Sequence, residues 1–265
     1  MPYERELATA TAAAREAAEI VRRHYEDGTR VWEKGENDPV TQADLEADAA
    51  IRRHLSAAFP DDAILSEEIE CDRSRLGKAR VWIVDPMDGT KEFTRRIPEF
   101  AVSIALCEEG EPVVGVIANP IADVTVWATR GGGTFRDGER VRVSSCLRLD
   151  EAVVIASRTE ISRNQLAPYE GWFAGVRGVG SIAWKLAIIA CGEGDLNFSV
   201  APKNEWDVCA GDLVVREAGG IYADFEGATR RYNQPETLIS AGMGAGPRSL
   251  FAQFIARERS RQAGD

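Results

Sequence analysis

The segment Asp85-Pro-Met-Asp-Gly-Thr90 follows an apolar run, residues 81–84, and carries two carboxylates three positions apart. On a turn stiffened by Pro86, carboxylates at that spacing can converge on hard cations, which take oxygen ligands. Gly89 lets backbone approach a ligand closely, and a helix opening at Thr90 presents free N–H groups suited to phosphate. Cation and anion sites therefore fall side by side. Asp88 also reads as a simple helix N-cap. Asp85 is harder to explain that way, because a charge ending an apolar strand loses solvation unless it gains a partner, and a metal ion is the simplest one.

Other acids gather around this segment in the reading. Glu67 and Glu68 follow the short apolar run of residues 63–65, much as Asp85 follows its own, so two adjacent strands would end in one acidic pocket. A solvated surface pair is the alternative, more so for Glu68. Asp207, after Trp206, opens a helical stretch and reads as an N-cap, a metal ligand or both. Asp38 and Asp44 flank Pro39-Val-Thr41, where Thr41 and Asp44 have the spacing of a capping box. Lys34 is either a phosphate contact or a solvated loop lysine.

Competing chemistries lack their residues. An EF-hand loop starting at Asp85 needs acids where Met87, Gly89 and Arg96 stand. A haloacid-dehalogenase phosphatase needs an Asp where Pro86 stands. His24 and His54 fall on expected helices among basic residues and read as surface groups. No Gly-x-Ser-x-Gly elbow or cysteine-centred phosphate loop is present, so metal-activated water is the remaining route for hydrolysis.

Composition agrees with a folded enzyme. The 265 residues are 44% hydrophobic and 28% charged, which fits one large domain or two joined ones. A net charge of −11 argues against nucleic acid and anionic membranes as partners, and a phosphate-binding protein of that charge needs cations at its site. Apolar runs fall far short of the roughly 18 residues of a membrane span. The N-terminus lacks the pattern of a signal peptide, and Cys71, Cys107, Cys146, Cys191 and Cys209 read as reduced, buried thiols, so a cytoplasmic location is expected.

The elements that must position these residues follow from periodicity. Leu7, Ala10, Ala14, Ala17, Val21 and Tyr25 predict a helix over residues 6–25 closed by Gly28. A polar turn at residues 34–39 precedes a helix opened by Thr41 with an apolar edge of Leu45, Ile51, Leu55 and Phe59. Strands are expected at residues 63–65, 81–84, 100–107, 113–119 and 124–129, with a short helix at 90–96 and hairpin turns at 131–133 and 137–138. Beyond residue 145 a strand, helix, strand, helix rhythm (152–157, 182–191, 195–200, 207–218) predicts an α/β half. Two halves, 1–145 and 146–265, are expected to pack as one compact unit.

Four segments in this order and spacing resemble the lithium-sensitive, Mg²⁺-dependent phosphatases that include inositol monophosphatases and 3′(2′),5′-bisphosphate nucleotidases. They are Asp38-Pro-Val-Thr-Gln-Ala-Asp44, Leu65-Ser-Glu-Glu68, Trp82-Ile-Val-Asp-Pro-Met-Asp-Gly-Thr90 and Trp206-Asp207, and the likeness spans nearly the whole chain. The resemblance implies an αβαβα sandwich with the site between its halves. It implies that Glu67, Asp85, the Met87 carbonyl, Asp88 and Asp207 hold two or three Mg²⁺ ions. Thr90, hydrogen-bonded to Asp44, and Glu67 would serve the attacking water, and the Gly89 and Thr90 N–H groups would receive phosphate. Asp207, Lys185 and Arg158 would contact substrate, and Li⁺ would inhibit by displacing an ion.

Within that family Thr90-Lys-Glu-Phe93, Ala156-Ser-Arg158 and Lys185 are similar to the nucleotidase branch. Where the inositol branch carries a Glu shortly before the Trp-Asp pair, this chain has Ser199-Val200. Gly180-Ser-Ile-Ala183 and Arg216-Glu-Ala-Gly-Gly220 suit either branch. Lys91, Arg95 and Arg96 read as contacts to a second phosphate or as a solvated face. The expected function is a phosphomonoesterase acting on a small phosphorylated metabolite, first adenosine 3′,5′-bisphosphate, alternatively inositol 1-phosphate or another sugar phosphate. A monomer or homodimer is expected; a metal-binding regulatory protein without turnover is the alternative from another class.

Overall fold

Small side chains set the outer helical layer. In the computed structural model, which describes residues 2–35, 38–69 and 73–264, helix α1 (Glu4–Asp27) buries Ala10, Ala13, Ala14, Ala17 and Val21. Helix α2 (Gln42–Ala58) buries Ala43, Ala47, Ala50, Ile51 and Leu55, and the two alanine-rich faces share one cluster. Between them β1 (Val31–Gly35) and β2 (Asp38–Thr41) form an antiparallel pair. The expected polar turn is thus flanked by strand; Glu36, Asn37 and the side chains of Lys34 and Asp38 lie outside the described residues, as does Cys71. Leu45, expected on the apolar edge of α2, is exposed, because the buried stripe runs through the alanines and the carboxylates of Asp44 and Asp48.

The helices cover one face of a seven-stranded sheet. Its strands are β3 (Ala63–Ser66), β4 (Arg80–Asp88), β5 (Ala101–Glu108), β6 (Glu111–Asn119), β7 (Val124–Thr129), β8 (Gly133–Arg136) and β9 (Glu139–Val141), hydrogen-bonded in that order. Along β4, Trp82 and Val84 point to the α1/α2 layer while Val81 and Ile83 point to the opposite layer. Both faces are buried, so the strand reads as a continuous apolar run rather than an alternating one. The strand does not stop at Asp85 as expected. It stays extended to Asp88, but its register with β5 shifts between Asp85 and Asp88, and the shift frees the segment to turn its acids out of the ladder. Helix α3 (Thr90–Thr94) follows at once.

On the second face lie α5 (Ile182–Ala190) and α6 (Glu205–Glu217), whose residues Ala183, Leu186, Ala187, Val208 and Leu213 share a cluster with Val81, Ile83 and Ala105. Around them run β10 (Val153–Ala156), α4 (Arg158–Ser162), β11 (Gly175–Gly178), β12 (Leu196–Ser199), β13 (Lys203–Asn204), β14 (Gly220–Asp224), β15 (Leu238–Ile239), β16 (Met243–Pro247) and α7 (Arg248–Gly264). Five of these strands make a mixed sheet in the order β11-β10-β12-β16-β14, with β13 and β15 paired separately. Leu250, Phe251 and Phe254 of α7 close its outer side against Val154, Ala156 and Phe198. Five layers result, αβαβα, as expected.

Among the described cysteines all four are free; Cys107 and Cys209 are buried, but Cys146, in the irregular segment 142–148, and Cys191, just past the end of α5, are only half-buried. His24 and His54 lie on the helical layer against Glu46 and Glu16. Among the described residues no helix is long and apolar enough to cross a membrane.

Candidate metal centre

Two elements, β4 and α6, bring three acids to one cavity. Asp85 sits on β4 at 1% exposure, its Oδ1 accepting the Met87 N–H at 2.9 Å. Asp88 ends the same strand, and its Oδ2 accepts the Ser181 hydroxyl at 2.5 Å and the Ala183 N–H at 2.6 Å. That carboxylate therefore joins the first sheet to the N-terminus of α5. Asp207 stands in the first turn of α6, where its Oδ2 accepts the Asn204 N–H at 2.6 Å in a capping box. One oxygen from each of Asp85, Asp88 and Asp207 lies within 4.8 Å of the others. Capping and clustering are thus compatible, because each carboxylate spends one oxygen on the backbone and keeps another for the cavity.

The cavity, of about 320 Å³, is lined by these three acids together with Glu67, Met87, Gly89 and Thr90. Burial, then the charges of Glu67, Asp88 and Asp207, pushes the Asp85 carboxyl well above the usual range. Burial and then Asp88 do the same to Asp207. Burial also raises Asp88, against the hydrogen bonds from Ser181 and Ala183. Converging buried carboxylates repel one another, and a hard cation held by oxygen ligands relieves that repulsion directly. The donor set fits Mg²⁺.

Thr90 faces the acids from the start of α3. Its hydroxyl lies 3.1 Å from Asp44 Oδ1 and 3.2 Å from the Met87 carbonyl, with Asp44 its charged acceptor. Asp44 Oδ2 accepts the Thr41 N–H at 2.7 Å and the Thr41 hydroxyl at 2.6 Å, completing the capping box of α2. Burial, chiefly, pushes the Asp44 carboxyl up to about 6. Gly89 at φ +103 adopts a conformation that strains any other residue, and it sits so close to the 99–100 backbone that a Cβ would come within 3.1 Å of the Glu99 carbonyl and press on it.

The other expected contacts divide. Lys185, on α5, is 4% exposed and lines the cavity. Arg158 does not line it; its guanidinium forms an ion pair with Glu99, with Nη2 donating to Oε1 at 2.8 Å. Glu99 also accepts the Gly180 N–H at 2.7 Å, so Arg158 braces the approach to Ser181. Lys91 lines the cavity, whereas Arg96 lies over the Tyr25 ring.

Of the other residues that line the cavity, Glu92, Ser157 and Ser181 stood in the family-like segments without a role of their own, and Lys203 and Thr159 were passed over. Ser181 had a local signal, a Ser directly before an apolar helical run. Lys203 had only its nearness to Asp207.

Comparison with known proteins places these features in company. The family profile described as "Inositol monophosphatase family" matches residues 3–262. Inositol-1-monophosphatase of Rhizobium meliloti is 40% identical over 201 residues, covering 73% of this chain and 75% of the relative. Inositol monophosphatase 2 of Solanum lycopersicum is 36% identical over 233 residues, covering 83% and 87%. Among solved structures, the extragenic suppressor protein suhB of Bartonella henselae superimposes with a TM-score of 0.84 at 33% identity, over 96% of this chain and 98% of that one.

Proposed function

Because the chain belongs to the inositol monophosphatase family of metal-dependent phosphatases, we propose that it hydrolyses a small phosphomonoester with two or three Mg²⁺ ions, and that its preferred substrate is adenosine 3′,5′-bisphosphate. The observation that carries the reaction is the convergence of Asp85, Asp88 and Asp207 within 4.8 Å, beside the Thr90–Asp44 hydrogen bond. Glu67, Asp85, the Met87 carbonyl, Asp88 and Asp207 would hold the metal. When bound, Mg²⁺ acidifies water, neutralises phosphate charge and stabilises the leaving oxygen.

The chain's own groups do the positioning. Gly89 and Thr90 offer N–H groups to the phosphate at the opening of α3. With its proton directed to Asp44, the Thr90 hydroxyl keeps lone pairs free to orient the attacking water and takes that water's proton as its own passes to the Asp44 carboxylate. Glu67 borders the same space from the end of β3, which runs parallel to β4 beside Asp85, and serves that water.

The nucleotide rather than the inositol reading is supported by Thr90-Lys-Glu-Phe93 and by the segment leading from β12 to α6, where Ser199 is buried against Glu160 and Val200 is exposed and neither carries a carboxylate. Inositol 1-phosphate is the second reading, favoured by the names of the relatives. Phosphate release from the two substrates by purified protein with Mg²⁺, with Asp85→Asn as blank, separates them. Faster turnover of the nucleotide per unit KM is expected; preference for inositol 1-phosphate overturns the substrate and keeps the chemistry, while unchanged activity in Asp85→Asn overturns the chemistry.

A further inference from the structure

Helix α2 carries two buried carboxylates one turn apart, among buried neighbours that are mostly alanine. The first, Asp44, holds the Thr90 hydroxyl just past the end of β4. The second, Asp48, is 2% exposed and reaches the adjacent strand: its Oδ1 accepts the Ser66 hydroxyl at 2.5 Å, while its Oδ2 accepts Arg52 Nε–H at 2.6 Å. Ser66 ends β3 beside Val84 of β4, and Glu67 comes next. The Glu67 N–H donates to the Val84 carbonyl at 3.2 Å, and the Glu68 N–H turns back to Ser66 Oγ at 3.4 Å. Glu67, which borders the metal cavity, is therefore gripped by β4 through its backbone and by α2 through the side chain before it.

Burying a charge against alanines is costly unless it is paired, and Arg52, whose side chain is 43% exposed, meets only one oxygen of Asp48. A serine hydroxyl needs no charged acceptor to be satisfied, but a carboxylate holds it in one direction about twice as strongly as a neutral group does. What that bond fixes here is the course of the chain as it leaves β3. The same course aims the Glu67 carboxylate, whose charge bears on Asp85 and Asp207. We infer that Asp48 is a positioning residue that orients Glu67 toward the metal through Ser66, as Asp44 orients Thr90. The inference rests on the reading of Glu67 as a metal ligand; Asp48 itself does not line the cavity.

Calorimetric titration of Mg²⁺ into the metal-free protein tests the link without turnover. Kd should rise about tenfold in Ser66→Ala and in Asp48→Ala, the low end for a lost outer partner of a metal ligand. The rise should be smaller in Asp48→Asn, which keeps a neutral acceptor in the same shape and guards against loss of fold in the alanine variant. Ser66→Thr keeps the hydroxyl and should retain binding. Because both side chains act through one bond, the double variant Asp48→Ala/Ser66→Ala should lose no more than the larger single loss. Losses that add, or a lower metal-free Tm with Mg²⁺ affinity unchanged, reduce Asp48 to a support of the fold and overturn the inference. So does an unchanged Kd in Glu67→Gln, which removes the ligand that the link aims. Phosphate release is scored apart: if the wild-type protein turns over neither adenosine 3′,5′-bisphosphate nor inositol 1-phosphate while the Mg²⁺ affinities keep this order, the phosphomonoesterase reading fails and the positioning of Glu67 stands.

Discussion

Thr90 donates its hydroxyl proton to Asp44 at 3.1 Å, and the other oxygen of Asp44 caps α2 through Thr41. One carboxylate thus holds a helix end and aims a hydroxyl at the metal centre. Thr90→Ala is expected to lower kcat by roughly 10²- to 10⁴-fold, the usual range for a lost proton-transfer group, while leaving Mg²⁺ affinity nearly unchanged. Thr90→Ser should retain most activity. An equal loss of Mg²⁺ affinity in Thr90→Ala would sink the assignment.

The same carboxylate sets a pH limit. With Asp44 raised to about 6 by burial, protonation below that value removes the acceptor for Thr90. The rate should therefore fall about tenfold per pH unit on the acid side of 6. Asp44→Asn should lower the plateau and flatten that limb; a limb that persists unchanged assigns it to another group.

Stability should run the other way in the metal-free protein. A carboxyl raised on folding stabilises the fold below its unfolded value near 4, and that contribution is lost as pH rises through the folded value. Asp44 at about 6 and Asp212, which burial raises to about 7, place the loss between pH 4 and 7, and Asp85, Asp88 and Asp207 are raised in the same direction. Metal-free Tm should fall over that window. Mg²⁺ should raise Tm more at pH 8 than at pH 5, since binding at 100 times Kd contributes about 2.7 kcal/mol and needs ionised ligands. An equal Mg²⁺ shift at both pH values contradicts the cluster.

Ser181 fixes one ligand from outside the cluster. It sits at φ +55, a conformation uncommon outside glycine, and donates to Asp88 at 2.5 Å. Ser181→Ala should weaken Mg²⁺ binding by about 10- to 100-fold, the range for lost outer partners of metal ligands. Ser181→Gly relieves the backbone and loses the hydroxyl, so it should be weakened in Mg²⁺ binding yet more stable than the alanine variant. Direct Mg²⁺ titration of both, with Tm, checks the pair.

Gly115 on β6 lets α6 lie flat on the sheet, since a Cβ there would come within 2.9 Å of the Ala210 carbonyl. Overpacking of this kind costs about 1–3 kcal/mol. Gly115→Ala should lower stability by that amount and raise the Mg²⁺ requirement, because α6 carries Asp207. Denaturant unfolding with and without Mg²⁺ measures both.

Much of this was legible in one dimension because the governing geometry is local. Residues three apart after an apolar strand, a glycine before a helix, Thr41 with Asp44 and the residues around Asp207 state their own backbone conformations. The apolar periods of α1, β4 and α5 likewise state which elements form. They did not show that β4 continues past Asp85 or that Leu45 faces solvent, since a register shift and an alanine-lined helix contact depend on the partner surface.

What only the tertiary structure decided are the pairings across elements. Asp207 meets Asp85 because α6 packs on β5 and β6 through the second core; Ser181 reaches Asp88 because α5 abuts the same strand end. Arg158 goes to Glu99 rather than to the cavity, while Lys185 and Lys203 arrive there from separate elements. Sequence spacing encodes distance along the chain, and these contacts depend on how buried faces interlock, which no spacing expresses.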